Sequence, residues 1–474
     1  MTETQDTALH GPLAATLAVQ RNASRNQPAP DYAQRRADLL TLQRFVRDHK
    51  DAIAAAISAD YGHRSYHETM LLEVFPVIDG IDHALKHLRR WMRPQRRGID
   101  RKVFLGAHNR VIPQPLGVIG VIVPWNFPIN LSLLPLTYIF AAGNRAMVKM
   151  SENSRHLARL LIDRMPDYFP PEKLQFFDET GGVGIEFSRL PFDHLLFTGS
   201  GQTGRAVMAA AAQNLCPVTL ELGGKAPAIV CDGFPLRTAA ERILYAKFAN
   251  AGQICTTVDH AFVPHDRLDE FVALSRLVVT ARYPRLESPD YTAIIDPRAF
   301  ERLLHVLDDA RVRGASVIPL LDGPAFDRAS RKIAPHLVLN APDDCLLMQR
   351  EIFGPILPLI GYRHLDDVIQ RINAGPRPLA IYPFSHNATT VDTIIGRVMS
   401  GGVSVNDALF HVGQHDLPFG GVGESGMGHY HGKEGFETFS KLRPVFYQAR
   451  LSGLALLAPP YGKLIDRVLG FLLR

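Results

Sequence analysis

The stretch His194-Leu-Leu-Phe-Thr-Gly-Ser-Gly-Gln-Thr-Gly-Arg-Ala-Val-Met-Ala-Ala-Ala-Ala-Gln213 decides the fold. Its first five residues suit a buried strand, its glycines a tight turn, and Arg205–Gln213 a helix; Val218–Leu222 then reads as the next strand. Upstream, the same alternation gives strand Gly117–Val123, helix Leu131–Ala142, strand Ala146–Met150, helix His156–Met165 and strand Lys173–Phe177. Downstream, it restarts after Gly224 with strand Ala228–Val230 and helix Ala239–Asn250, and runs on to about Asn406. Strands alternating with helices predict βαβ units and mostly parallel, doubly wound sheets. Ahead of them, Tyr32–Tyr61 carries Leu39, Leu42, Phe45, Val46, Ile53 and Ile57 at helical spacing, and a second helix is expected over His67–Trp91.

A chain of 474 residues is too long for one ordinary core, and the formal charge of +5 is small for that length. The basic run Arg89, Arg90, Arg93, Arg96, Arg97, Arg101, Lys102 lacks interleaved aromatics, which favours a solvated connector over a nucleic-acid surface. Four cysteines (Cys216, Cys231, Cys255, Cys345) without CxxC pairing fit a reducing compartment. Met1–His10 is polar and lacks a signal-peptide pattern, so a cytoplasmic location is expected. The last residues, Leu451–Arg474, alternate apolar pairs with Lys463, Asp466 and Arg467, an amphipathic pattern too interrupted to span a bilayer. Docking on the protein's own surface is the expectation, ahead of peripheral membrane contact or a lid over a neighbour's entrance.

Gly199, Gly201 and Gly204 match GxGxxG, a turn whose backbone amides can approach phosphate at a helix N-terminus. On that pattern Glu221 would hold ribose hydroxyls. Other groupings compete for it: Glu221-Leu-Gly-Gly-Lys225, Asn250-Ala-Gly-Gln-Ile-Cys255, Pro124-Trp-Asn-Phe-Pro128, Lys149-Met-Ser-Glu152, Glu351-Ile-Phe-Gly-Pro355, Pro418-Phe-Gly-Gly421 and Ser425-Gly-Met-Gly-His-Tyr-His-Gly432. Histidines 411, 415, 429 and 431 lack the spacing of a metal site, and no metal is expected.

In this order and spacing the motifs resemble the aldehyde dehydrogenase superfamily, over roughly Tyr32 to Tyr447. The short N-terminus and Tyr430-His-Gly432 look like its class 3 branch. Cys255-Thr-Thr-Val-Asp-His260 and Pro459-Pro-Tyr-Gly462 are most similar to the bacterial coniferyl aldehyde dehydrogenases. The resemblance implies an α/β fold with a Rossmann-like cofactor domain (1–105 and 118–221), a second α/β catalytic domain (222–425), a small oligomerisation hairpin (106–117 with 440–450) and the amphipathic tail (451–474). It implies Cys255 as nucleophile, Asn126 as oxyanion donor and Glu221 as the base for water. NAD, with NADP possible, would contact Lys149, Glu152, Gly199, Ser200, Gly204, Glu351, Phe353 and Trp125. In this reading the ribose acid is Glu152, and the glycine turn packs beside the cofactor. Met150 departs from the proline that many relatives carry. The implied substrate is a small-molecule aldehyde, aromatic such as coniferaldehyde or else medium- to long-chain aliphatic. A homodimer is implied; a CoA-acylating enzyme is disfavoured because Glu221 is retained, and a non-catalytic scaffold because Cys255, Asn126 and Glu221 all are.

Overall fold

The computed structural model describes residues 11–101, 103–180, 182–450, 452 and 458–473. Met1–His10, Lys102, and Leu456 and Leu457 of the tail lie outside the described residues. In chain order the strands are β1 (Gln95–Arg97), β2 (His108–Pro115), β3 (Val118–Ile122), β4 (Arg145–Lys149), β5 (Leu174–Phe177), β6 (His194–Thr198), β7 (Val218–Glu221), β8 (Pro227–Val230), β9 (His260–Pro264), β10 (Ser316–Pro319), β11 (Phe326–Asp327), β12 (Lys332–Ile333), β13 (His336–Leu339), β14 (Ile356–Tyr362), β15 (Ala380–Phe384), β16 (Gly402–Val403), β17 (Gly426–Met427) and β18 (Ser440–Tyr447).

Two mostly parallel sheets dominate. One has the order β17-β7-β6-β3-β4-β5, antiparallel only at β17; the other has β10-β13-β14-β9-β8-β15-β16, antiparallel only at β10. In the first, the chain starts at β3, moves outward through β4 and β5, then crosses back to β6. The crevice beyond the carboxyl ends of β3 and β6 is therefore a topological switch point, where open α/β sheets take ligands. Residues 118–122 are all buried because helices cover both faces. Ile119 and Val121 pack with Leu39 and Leu42 of the long helix, while Val118 and Ile122 pack with Leu13 and Phe187. That split is the two-residue period of a strand.

Helix Tyr32–Tyr61 forms as its spacing predicts, capped by Asp31 at its start and by Gly62 in the left-handed region at its end. An additional helix, Pro12–Asn26, precedes it. Its buried stripe is only Leu13, Leu17, Gln20 and Ala23, too weak a pattern to read; Gln20 donates Nε2 to the Ala146 and Pro171 carbonyls. The helix after the glycine turn starts at Gly201, not Arg205, because Ser200 caps it by accepting from the Thr203 N–H. Between Tyr66 and Trp91 the helix carries a π-turn at Met70–Val74, directly before Pro76. Proline has no N–H to give, and the wider turn absorbs that fault.

The small sheet has the order β1-β2-β18, all antiparallel, with Arg443 opposite Ile112. Gln95–Arg97 belongs to it, so its first strand begins ahead of the expected boundary at 105/106. The tail forms helix Lys463–Leu472, but none of its residues is buried; Leu464, Leu469, Phe471 and Leu472 are exposed. Among the described residues of the tail none is buried, contrary to the expected docking on the protein's own surface. Amphipathic spacing creates an apolar face without supplying a surface to receive it. Among the described residues no helix is long and apolar enough to cross a membrane.

Candidate active site

Cys255 lies on the loop between helix Leu236–Phe248 and β9, and the backbone leading to it is strained. Asn250 and Ala251 both sit in the left-handed region, at φ 49 and 50. Such conformations cost roughly 1–3 kcal/mol each and persist only where neighbours over-determine them. Here the Asn250 N–H donates to Glu68, and its Nδ2 donates to the Tyr61 hydroxyl and to the Asn126 and Gln253 carbonyls. Gln253 in turn accepts from the Ile295 N–H and donates to the Ala293 carbonyl.

Asn126 follows β3 and is buried, with Nδ2 donating to the Gln253 carbonyl at 3.2 Å. Its own carbonyl accepts from Arg64 Nη1 at 2.9 Å, Tyr61 OH at 3.2 Å and Asn250 Nδ2 at 3.3 Å. Arg64 is fully buried and paired at 2.8 Å with Glu73, which the π-turn directs inward. Glu73 also accepts from the Ile129 and Asn130 N–H groups, where the helix after Asn126 begins. One buried network thus fixes both Asn126 and the cysteine loop.

Two clefts meet at Cys255. The first is apolar, with walls that include Leu72, Phe75, Phe127, Leu131, Phe410 and Phe419. The second lies at the switch point and is lined by Trp125, Asn126, Gly199, Ser200, Glu351 and Phe353. Thr198, Glu221, Leu222 and Cys255 border both. Glu221 ends β7, is 2% exposed, and has no hydrogen-bond partner at either carboxylate oxygen. An unpartnered buried carboxyl is costly, and this one stands where the two clefts join.

In the second cleft, Trp125 and Phe353 meet edge to face at 5.5 Å. Glu351 lies over Gly223, where an added Cβ would stand 2.1 Å from Glu351 Oε2. Only glycine permits that approach. Lys225 reaches Asp259 and the Leu347 and Arg350 carbonyls, tying down the segment that carries Glu351. Gly204 is not part of the lining; an added Cβ there would meet Leu222 Cδ2 at 2.7 Å, so it serves helix–strand packing. Lys149, at the end of β4, pairs with Glu179 instead of Glu152, which is exposed and accepts from Ser151 Oγ. Glu179 was not singled out from the sequence, where an acid two residues past a strand is unremarkable.

Burial governs the electrostatics. It raises Glu221 well above the ordinary carboxylate range. It pushes Glu351 up to about 8, with the Asp259 charge adding to the effect. The Cys255 thiol is pushed up to about 12, by burial first and then by the Glu351 and Glu221 charges. The Cys255 thiol is therefore protonated at neutral pH in the free protein. His415 Nε2 stands 3.2 Å from Asp79. His431 packs against Phe419, and burial and neighbouring histidines lower its pKa to about 3. Among the described residues no group of three His, Cys, Asp or Glu could hold a metal.

A sequence profile of the aldehyde dehydrogenase family matches residues 13–445. The chain is 48% identical over 457 residues to a probable coniferyl aldehyde dehydrogenase of Pseudomonas aeruginosa, covering 96% of this chain and 95% of that one. It is 45% identical over 436 residues to the coniferyl aldehyde dehydrogenase of Pseudomonas sp. strain HR199, covering 90% and 89%. Among solved structures, the substrate-bound state of Staphylococcus aureus AldH superposes with a TM-score of 0.92 at 31% identity, covering 98% of this chain and all of that one. Profile, sequence and fold agree along almost the whole length: the chain belongs to the aldehyde dehydrogenase family.

Proposed function

We propose that this chain oxidises an aromatic enal such as coniferaldehyde to its carboxylic acid, through a thiohemiacetal and then a thioester on Cys255. The observation that carries the reading is the meeting of an apolar cleft and a second, polar-rimmed cleft at Cys255 and Glu221. The family uses NAD or NADP, and the donor set fits a dinucleotide. Ser200 caps a helix at the switch point, and Glu351 is a buried carboxyl whose Oε1 lacks a partner. When bound there, the dinucleotide would supply the hydride acceptor for the oxidation.

The chain's own groups do the rest. The Cys255 thiol loses its proton to solvent and Sγ attacks the carbonyl carbon, while Asn126 Nδ2, with the Cys255 N–H, donates to the oxygen that becomes anionic. Glu221 Oε then takes a proton from the water that cleaves the thioester. Lys149, Glu152, Gly199, Ser200, Glu351, Phe353 and Trp125 are the residues proposed to hold the dinucleotide, with Gly204 supporting its turn. The division into cofactor domain (1–105, 118–221), catalytic domain (222–425) and oligomerisation segment (106–117 with 440–450), and assembly as a cytoplasmic homodimer, belong to the same proposal.

The apolar cleft also suits medium- or long-chain aliphatic aldehydes, since its walls carry leucines and phenylalanines alike. A panel of aromatic, enal and aliphatic aldehydes, read by reduced-cofactor absorbance with and without CoA, tests the reading. A higher kcat/KM for coniferaldehyde than for hexanal, independent of CoA, supports it; the reverse order favours the aliphatic reading, and strict CoA dependence refutes hydrolytic deacylation.

A further inference from the structure

Lys149 stands among the residues proposed to hold the dinucleotide, but its partner Glu179 has no role in the reaction derived above. Lys149 ends β4 and Glu179 follows the neighbouring strand β5, whose Phe177 stands beside Lys149 in register. The side chains are 8% and 20% exposed, so the ammonium is held inside the protein. The Gly184 N–H donates to both Glu179 oxygens, at 3.2 and 3.1 Å. An added Cβ on Gly184 would come 2.8 Å from Glu179 Oε2 and 3.2 Å from Lys149 Nζ, so the glycine leaves room for the pair. Glu152, three residues beyond Lys149, adds a second carboxylate to this strand end. Arg155, on the next helix, has its Nε on the Glu152 carbonyl.

Acids beside a strand end favour the free ribose diol of NAD, whereas the 2′-phosphate of NADP needs an available cation. A lysine already neutralised by a fixed carboxylate is not available, and the remaining acid repels a dianion. Resting on the dinucleotide reading above, we infer that Glu179 makes the chain prefer NAD over NADP, by holding the Lys149 ammonium that a 2′-phosphate would otherwise recruit.

Calorimetric dissociation constants for NAD and NADP, measured without aldehyde on wild type and variants, test this. Glu179→Gln should lower the NADP-to-NAD ratio of dissociation constants by roughly tenfold or more, the scale of a hydrogen bond to a charged group. NAD affinity should stay nearly unchanged. Gly184→Ala, which crowds Glu179 Oε2, should shift the ratio in the same direction, and serves as the test if Glu179→Gln does not fold. An unchanged ratio with NAD binding intact overturns the inference and leaves the function standing. Equal weakening of both cofactors makes Glu179 a loop support and also overturns it. A wild type that binds neither dinucleotide defeats the functional reading itself.

Discussion

Replacing Arg64 by methionine probes the buried network behind Asn126. Arg64 and Glu73 are both completely buried and 2.8 Å apart. Removing one partner of such a pair leaves an uncompensated charge and typically costs 3–5 kcal/mol. Glu73 keeps two backbone donors, at 2.7 and 3.1 Å, which places the expected loss near the low end, about 3 kcal/mol. The loss should depend on pH. Burial already raises the Glu73 pKa and Arg64 opposes that rise, so the variant raises it further. A carboxyl whose folded pKa lies above its unfolded value destabilises the fold as pH climbs between the two. Urea unfolding followed by tryptophan fluorescence should therefore find a smaller deficit at pH 5 than at pH 8. Adding Glu73→Gln should recover part of the deficit at pH 8. A deficit below about 1 kcal/mol that does not change with pH would refute the reasoning, because it would mean the pair is effectively solvated.

Other outcomes follow from the same geometry. Asn126→Ala should lower kcat/KM by about 10²–10³ while calorimetry finds cofactor affinity intact; a loss under tenfold would remove the oxyanion role. With its thiol pushed up to about 12, Cys255 in the free protein should react slowly with iodoacetamide at pH 7 and steadily faster toward pH 10. Removing the Glu221 charge should shift that profile to lower pH, and a wild-type plateau near pH 7 would contradict it. Deleting residues 463–474 should leave the thermal midpoint within about a degree, since no described side chain of helix Lys463–Leu472 is buried. A drop of several degrees would mean the helix docks after all.

Much of this was legible because hydrophobic periodicity and glycine placement report local geometry directly. His194–Gln213 gave away its strand, turn and helix, and β3 with its neighbours alternated clearly enough to set the parallel sheet. Cys255, Glu221 and Asn126 stood out through the motifs around them, although the literal GxGxxG spacing alone would have misdirected Glu221 to a ribose. Arg64 and Glu73 were not legible: charged residues near a helix start look solvated, and their burial depends on a π-turn that no spacing announces. Glu179 escaped for a related reason, since its partner comes from an adjacent strand distant in sequence. The tail was misread because amphipathicity specifies a face and says nothing about what covers it. The pairing of His108–Pro115 with β18 was expected only through the family resemblance (106–117 with 440–450), because its prolines weaken the local strand signal and its partner lies more than three hundred residues later.

The central claim, that Cys255 carries the acyl group and Glu221 releases it, is tested most directly in Glu221→Gln. Both oxygens of Glu221 lack partners, and burial raises its pKa, so its use as a base should make wild-type turnover rise with pH. The amide of the variant cannot take the water's proton. Rapid mixing of Glu221→Gln with coniferaldehyde and NAD should give a burst near one reduced cofactor per site, then very slow turnover. Intact-mass spectrometry should find the acyl adduct on the peptide containing Cys255. Steady turnover close to wild type, or an adduct on any other residue, would contradict the account.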